Sequence, residues 1–357
     1  MESIFSIDKI YLMLGSACNM KCRHCYETDV PQPRTRKEIH QDVWNFLEEI
    51  CALNGKNIVL TFWGGEPLLY FYLIKQVIDR FGEGFRYAVQ TNGLLLSEEI
   101  VEYFNANKVL CALSNDGPQT ARVRLENVLD DPRICELYKK LDAKCIGVTT
   151  HAYNIDPHAL ESYVKDRVGK TKLHYQYHLE CTFDMDKDLY EYNYAKYREN
   201  LRKCRAEYIT DVVLGTSDDT IARSVFRHGV KSVMEYVKRR QRGETPCWWP
   251  ACASMRKRLN IDILGFVHIC HNRESAIGRV TDSYEALLAE NDRKLREYLR
   301  AKPECEMCEV NFLCRYGCPL NKITEAQKKC CAAEKIYWIQ SLLAVEDAAK
   351  ITTEIDI

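Results

Sequence analysis

The sequence predicts an α/β fold built on a parallel sheet, either doubly wound or curled into a partial barrel. A short apolar run followed by an amphipathic stretch recurs along the chain as far as residue 179. Such alternation is the signature of parallel strand–helix–strand units. Every polar or Gly-rich motif in this part falls directly after an apolar run, at the carboxyl end of a strand, where parallel α/β architectures place their active sites. A chain of 357 residues suits one large or two modest domains at about 150 residues each.

The elements follow in order. Lys9–Leu14 reads as a buried strand ended by Gly15. Thr35-Arg36-Lys37-Glu38 has capping-box spacing and predicts a helix through Trp44, Leu47 and Ile50. Asn57–Phe62 is the second strand, and a helix from about Leu68 to Phe81 leads to the third, Phe85–Gln90. Ser97 caps a helix whose first turn holds Glu98 and Glu99, where the macrodipole favours acids. Val109–Leu113 is the fourth strand, and a helix near 133–142 precedes the fifth, Lys144–Thr149. Asp156-Pro157 opens the next helix with a cap and a proline at its first position, and Lys172–Leu179 is the sixth strand. From about Asp188 to Gln241 the pattern is polar, tyrosine-rich and helical, with Tyr190, Tyr194, Tyr197 and Leu201 on one face. Lys238-Arg239-Arg240 is placed at a helix end. Cysteines return from Cys247 to Cys331, and 332–350 reads as one amphipathic helix.

Hydrophobic residues make up 46% and charged residues 28%, the balance of a globular protein, and the net charge of −1 steers neither nucleic acid nor an anionic membrane. No apolar run approaches the ~18–20 residues of a membrane span. Met1-Glu2-Ser3-Ile4 lacks the basic start of a signal peptide, so the cytoplasm is the expected compartment. The 18 cysteines are then expected to serve metal binding or chemistry rather than disulfides.

Cys18, Cys22 and Cys25 form C-x3-C-x2-C in the loop after the first strand. Three thiolates at this spacing suit three irons of a [4Fe–4S] cube and leave the fourth iron open for chemistry. A structural zinc site asks for a fourth ligand, and His24, set between two cysteines, would strain the loop. Gly64-Gly65-Glu66-Pro67, Thr91-Asn92-Gly93 and Ser114-Asn115-Asp116-Gly117-Pro118 follow the next three strands. Glycines without Cβ let backbone approach a ligand, and Glu66 suits an ammonium.

The loop Cys18–Tyr26 resembles the signature of the radical S-adenosylmethionine (radical SAM) superfamily. The resemblance implies a partial (β/α)6 TIM-like barrel and a first [4Fe–4S] cluster on Cys18, Cys22 and Cys25. It implies S-adenosylmethionine held by Tyr26, Gly64, Gly65, Glu66, Asn92, Ser114 and Asp116. Glu66 would pair with the methionine ammonium and Ser114 with the ribose. An arginine for the carboxylate is expected among Arg122, Arg124 and Arg133.

The later cysteines resemble the SPASM extension of that superfamily, which binds two auxiliary [4Fe–4S] clusters. By that pattern Cys247, Cys252, Cys270 and Cys318 hold one cluster. Cys305, Cys308, Cys314 and one of Cys330 and Cys331 hold the other. Spacing alone would suit zinc equally. The division expected is a barrel over 1–187, a helical bridge over 188–244, the SPASM segment over 245–335 and a terminal helix over 336–357.

The resemblance implies a 5′-deoxyadenosyl radical that takes a hydrogen atom from a peptide or protein, followed by loss of an electron. Sulfatase-maturing relatives carry an Asp after the cysteine matching Cys270. His271 stands there instead, which puts a thioether or carbon–carbon crosslink, or a backbone change, ahead of formylglycine formation. A non-catalytic electron carrier is the reading of another class. In the sixth strand His174, Gln176 and His178 share a face; with His271 they are the candidate proton acceptors. A separate leader-recognition protein and an external one-electron donor of flavodoxin or ferredoxin type are the expected partners.

Overall fold

A computed structural model describes residues 7–25, 38–176, 186–215, 220–244, 255–270, 275–318 and 324–355. The strands are β1 (Lys9–Met13), β2 (Val59–Trp63), β3 (Arg86–Thr91), β4 (Leu110–Ser114), β5 (Lys144–Thr149), β6 (Leu173–Gln176), β7 (Arg258–Asp262), β8 (Phe266–His268) and β9 (Ala276–Arg279). The helices are α1 (Gln41–Asn54), α2 (Phe71–Phe81), α3 (Glu98–Ala106), α4 (Thr120–Arg124), α5 (Pro132–Lys139), α6 (Pro157–Val168), α7 (Tyr194–Val213), α8 (Ile221–Gln241), α9 (Tyr284–Arg300), α10 (Pro303–Glu306), α11 (Asn311–Cys314) and α12 (Glu325–Ile355).

Packing divides the chain into two units that interleave along it: 1–115, 124–146 and 251–298 form one, and 116–123, 147–250 and 299–357 the other. In the first unit the strands lie in the order β5-β4-β3-β2-β1-β7-β8-β9. β1 to β4 pair in parallel and α1, α2 and α3 connect them, as the alternation predicts. The buried rows Ile10, Leu12, Leu60, Phe62, Val89, Cys111 and Leu113 fill the sheet. β5 runs on into the second unit, where β6 is its neighbour in an open, unclosed sheet. The second unit is otherwise helical: α7, α8 and α12 pack together around Phe226 and Tyr337, whose rings stack at 6.3 Å. No helix among the described residues is long and apolar enough to cross a membrane.

The structure differs from the sequence reading at three places. The helix through Trp44, Leu47 and Ile50, α1, begins at Gln41, while Thr35, Arg36 and Lys37 of the capping box lie outside the described residues. His40 caps it through Nδ1, which accepts from the Asp42 amide at 3.2 Å. The bridge is two helices, α7 and α8, and the terminal helix begins at Glu325, so that Cys330 and Cys331 lie on it. The sheet does not end at β1. β7, from the cysteine-rich part of the chain, pairs with β1 in parallel from Lys9↔Arg258 to Met13↔Asp262. This covers an edge that would otherwise expose unpaired amides.

Candidate active site

Three loops at the carboxyl ends of β1, β2 and β3 are joined in the first unit, the first two backbone to backbone and the third through the Glu66 carboxylate. The Gly65 amide donates to the Gly15 carbonyl and the Glu66 amide to the Ala17 carbonyl, each at 2.9 Å. A Cβ on Gly64 would lie 2.2 Å from the Gly15 oxygen, and one on Gly65 would lie 2.4 Å from the Ala17 oxygen. These glycines therefore admit the neighbouring loop, and Gly64 also sits at φ +141. Tyr70, one turn further on, supports the same loop by accepting from the Ala17 amide at 3.2 Å.

Glu66 locks the arrangement. It is 1% exposed. Its Oε1 accepts from the Leu68 amide at 3.0 Å and from the Thr91 hydroxyl at 2.6 Å, and its Oε2 accepts from the Asn92 amide at 2.8 Å. Burial pushes its carboxyl pKa up, against the pull of those three donors. Among the described residues no lysine or arginine pairs with it. Two carboxylate oxygens offer about four acceptor positions, so one stays open.

Asn92 reaches the cysteine loop. Its Nδ2 donates to Asn19 Oδ1 at 2.8 Å and lies 3.8 Å from Cys18 Sγ, while its Oδ1 accepts from the Leu94 amide at 3.0 Å. Cys18 Sγ also accepts from the Met20 amide at 3.4 Å. Cys18 is exposed, Cys22 and Cys25 half-buried, and the Cys25 amide donates to the Cys22 carbonyl at 3.1 Å. Ser114, at the end of β4, is buried and accepts from Gln90 Nε2 at 3.4 Å. Arg133 spends a guanidinium N–H on the Leu96 carbonyl at 3.2 Å, while Arg124 is buried.

In the second unit Asp116 is fully buried, its Oδ1 accepting from the Thr149 amide at 2.9 Å and its Oδ2 lying 3.8 Å from His151 Nε2. Arg122 stacks on the Tyr153 ring at 4.0 Å. On β6, Tyr175 is buried and senses Asp156, Glu161, Tyr197 and Cys204 on the α6 and α7 side. His174 stands on the opposite, exposed face.

A second cysteine cluster lines a cavity in this unit. Cys305, Cys308, Cys314 and Cys331 surround it with Lys302 and Glu334. Burial pushes the Cys314 thiol well up, and Glu334, Cys331, Cys308 and Cys305 add to it. Cys331 Sγ accepts from Gln327 Nε2 at 3.4 Å, whereas Cys330 does not line the cavity and is 2% exposed. Burial lowers the pKa of Lys302, and the surrounding thiols oppose the shift. Arg315 and Tyr316 take φ +54 and +66, a strain on the order of 1–3 kcal/mol each.

The family model described as the Radical SAM superfamily matches residues 12–114.

Among curated relatives, the radical SAM cyclopropyl synthase TigE of Paramaledivibacter caminithermalis is 28% identical over 131 residues, 31% of this chain and 28% of the relative. The cysteine-type anaerobic sulfatase-maturating enzyme of Clostridium novyi is 32% identical over 124 residues, 31% of this chain and 33% of the relative. The chain thus spans roughly a third of the length of these two relatives. Among solved structures, native anSMEcpe with bound AdoMet and Cp18Cys peptide superposes with a TM-score of 0.67 at 18% identity, over 96% of this chain and 99% of that one. Streptococcus suis SuiB bound to precursor peptide SuiA gives 0.56 at 13% identity, over 90% and 75%. At such identities these likenesses show the fold.

The first unit brings Cys18, Gly64, Gly65, Glu66 and Asn92 together through its three joined loops. Thr91, Asn19 and Tyr70 are further members that the sequence reading missed. Thr91 stood inside the recognised Thr-Asn-Gly motif, but Asn19 and Tyr70 carry no signal of their own. Among the described residues no three His, Cys, Asp or Glu side chains converge on one metal-ion position. An iron–sulfur cube asks for something else, since each thiolate takes a separate iron. Cys270 belongs to the first unit and Cys318 to the second. Tyr26, His178, His271, Cys247 and Cys252 lie outside the described residues, as does the side chain of Gln176.

Replacing Asn92 with Leu removes the donor to Cys18. A hydrogen bond worth about 1 kcal/mol corresponds to roughly 40 mV in a one-electron couple. The first cluster of this variant is expected to reconstitute with its potential lowered by about that amount, read by redox titration of its EPR signal. An unchanged potential would remove Asn92 from the cluster's surroundings.

Proposed function

We propose that this chain is a radical SAM enzyme that oxidises a residue of a peptide or protein substrate. The observation that carries the reading is the junction of the cysteine loop with Glu66 and Asn92. A carboxylate 1% exposed, with one acceptor position open and no basic partner among the described residues, fits a ligand ammonium. In this reading Cys18, Cys22 and Cys25 hold the first cluster, and Glu66 receives the amino group of S-adenosylmethionine beside Gly64, Gly65, Asn92 and Ser114. Asp116, whose Oδ1 accepts from the Thr149 amide, is placed with them in this reading. Cluster and S-adenosylmethionine, when bound, supply hydrogen-atom abstraction and leave methionine and 5′-deoxyadenosine. The chain's residues orient the substrate, exclude water and accept the proton; His174, His178 and His271 are the candidates for the last task.

Two outcomes compete, and the order of the sequence reading is reversed here. Sulfatase-maturating enzymes of cysteine and serine type are both among the sequence relatives, at 32% and 29% identity. The fold of anSMEcpe extends over 96% of this chain. Formylglycine formation on a peptide Cys or Ser is therefore put first: the side chain loses two electrons and two protons, and cysteine also loses its sulfur to water. A crosslink is the second reading, supported by the likeness to peptide-bound SuiB.

Two further cysteine-bound clusters, an external one-electron donor and a separate leader-recognition protein complete the proposal. The test is anaerobic: reconstituted protein, dithionite, S-adenosylmethionine and a peptide bearing Cys or Ser. Formation of 5′-deoxyadenosine with a peptide aldehyde trapped by a hydrazide is the expected result. An oxidised peptide without aldehyde would favour the crosslink, and no 5′-deoxyadenosine under any condition would defeat the reading.

A further inference from the structure

We propose that Lys302 is a positioning residue that parts Cys314 from Cys318 and thereby decides which cysteines share a metal centre. The proposal rests on the reading of the C-terminal cysteines as cluster ligands. Cys314 and Cys318 stand four residues apart. A continued helix would put both thiols on one face. Instead α11 ends at Cys314 and the chain turns left-handed through Arg315, Tyr316 and Gly317, at φ +54, +66 and +61. Cys314 lines the cavity with Cys305, Cys308 and Cys331, and Cys318 does not.

Two residues of no sequence motif clamp this turn. The Tyr316 amide donates to Asn311 Oδ1 at 2.9 Å. The Tyr316 carbonyl accepts from Lys302 Nζ at 3.4 Å, and the same ammonium donates to the Cys318 carbonyl. Tyr316 is thus held at both its amide and its carbonyl, and the ammonium bridges the carbonyls of Tyr316 and Cys318. Lys302 is 3% exposed, and no carboxylate among the described residues pairs with it. A buried cation in that position is costly unless anions come close. Four thiolates around the cavity that Lys302 lines would provide them.

The experiment uses the full chain with Cys18, Cys22 and Cys25 replaced by Ala, so that only C-terminal centres contribute iron. Cys305→Ser sets the reference, losing about four irons and one EPR signal. Lys302→Met is expected to lose the same irons and signal, and Lys302→Arg, which keeps a cation with N–H donors, to retain them. Should Lys302→Met give no soluble protein, Gly317→Ala takes its place. It keeps the ammonium, and its added Cβ meets only Cys314 Sγ at 3.8 Å, so the positive φ is its sole burden. Loss of the same irons in either variant supports the proposal. Full iron and an unaltered signal overturn it. If Cys305→Ser itself loses no iron, the reading of the cysteines as cluster ligands fails and takes the proposal with it.

Discussion

Replacing Cys18, Cys22 and Cys25 together with Ala is expected to abolish 5′-deoxyadenosine formation, to below detection, while about two-thirds of the iron remains. The fold should survive. Cys18 is exposed, Cys22 and Cys25 are half-buried, and the Gly15 and Ala17 carbonyls and Asn19 Oδ1 still anchor the loop when the 3.8 Å contact of Asn92 with Cys18 Sγ is lost. The loss should therefore be chemical rather than structural, with the apo-chain's denaturation midpoint nearly unchanged. Iron analysis and chromatography of the quenched reaction check both halves. S-adenosylmethionine cleavage persisting in the triple variant would show that the open cluster is assigned to the wrong cysteines.

Glu66→Ala is expected to cost both stability and binding. Three donors, the Leu68 and Asn92 amides and the Thr91 hydroxyl, lose their acceptor inside the protein. Leaving buried neutral donors unsatisfied costs about 1–3 kcal/mol each, and the link between the β2 and β3 loops goes with it. Glu66→Gln separates the two effects. Its amide oxygen keeps part of the donor set, but the charge facing a ligand ammonium is gone. A charge-assisted hydrogen bond is worth about 1.5–3 kcal/mol, so S-adenosylmethionine should bind at least about tenfold more weakly. Denaturant unfolding of the apo-chain and a binding titration measure the two quantities. A Gln variant that binds as tightly as the parent would make Glu66 a loop fastener and nothing more.

Much of the candidate site was legible because its signals are local. Strand period, turn glycines and cysteine spacing need only a few neighbouring residues, and they placed Cys18, Gly64, Glu66, Asn92 and Ser114 at strand ends. The purpose of the glycines was not legible. The missing Cβ atoms of Gly64 and Gly65 also admit the backbone of Gly15 and Ala17, which no local pattern announces. That the buried carboxylate of Asp116 accepts from the Thr149 amide was not legible either.

The β7 strand escaped notice because Arg258-Leu259-Asn260-Ile261-Asp262 alternates with polar residues that are buried here: Asn260 Nδ2 donates to the His268 and Ile269 carbonyls, and Asp262 accepts from the Leu264 and Phe266 amides and faces His268. His40 escaped because a histidine is a rare helix cap.

The sequence by itself determined the alternation of strands and helices, the order of the motifs and the thiols of the first loop, because each depends on residues close along the chain. It left Cys330 and Cys331 indistinguishable. Adjacent residues on a helix point about 100° apart, and only the packing of α12 against α7 and the cavity wall decides between them. Cys330 is buried on the side of Tyr194 and Cys331 turns to Cys305, Cys308 and Cys314. The same holds for Lys302. Nothing in Ala301-Lys302-Pro303 marks a functional cation, and its part arises from carbonyls fourteen and sixteen residues further on, brought to it by the left-handed turn that no pattern of neighbours encodes.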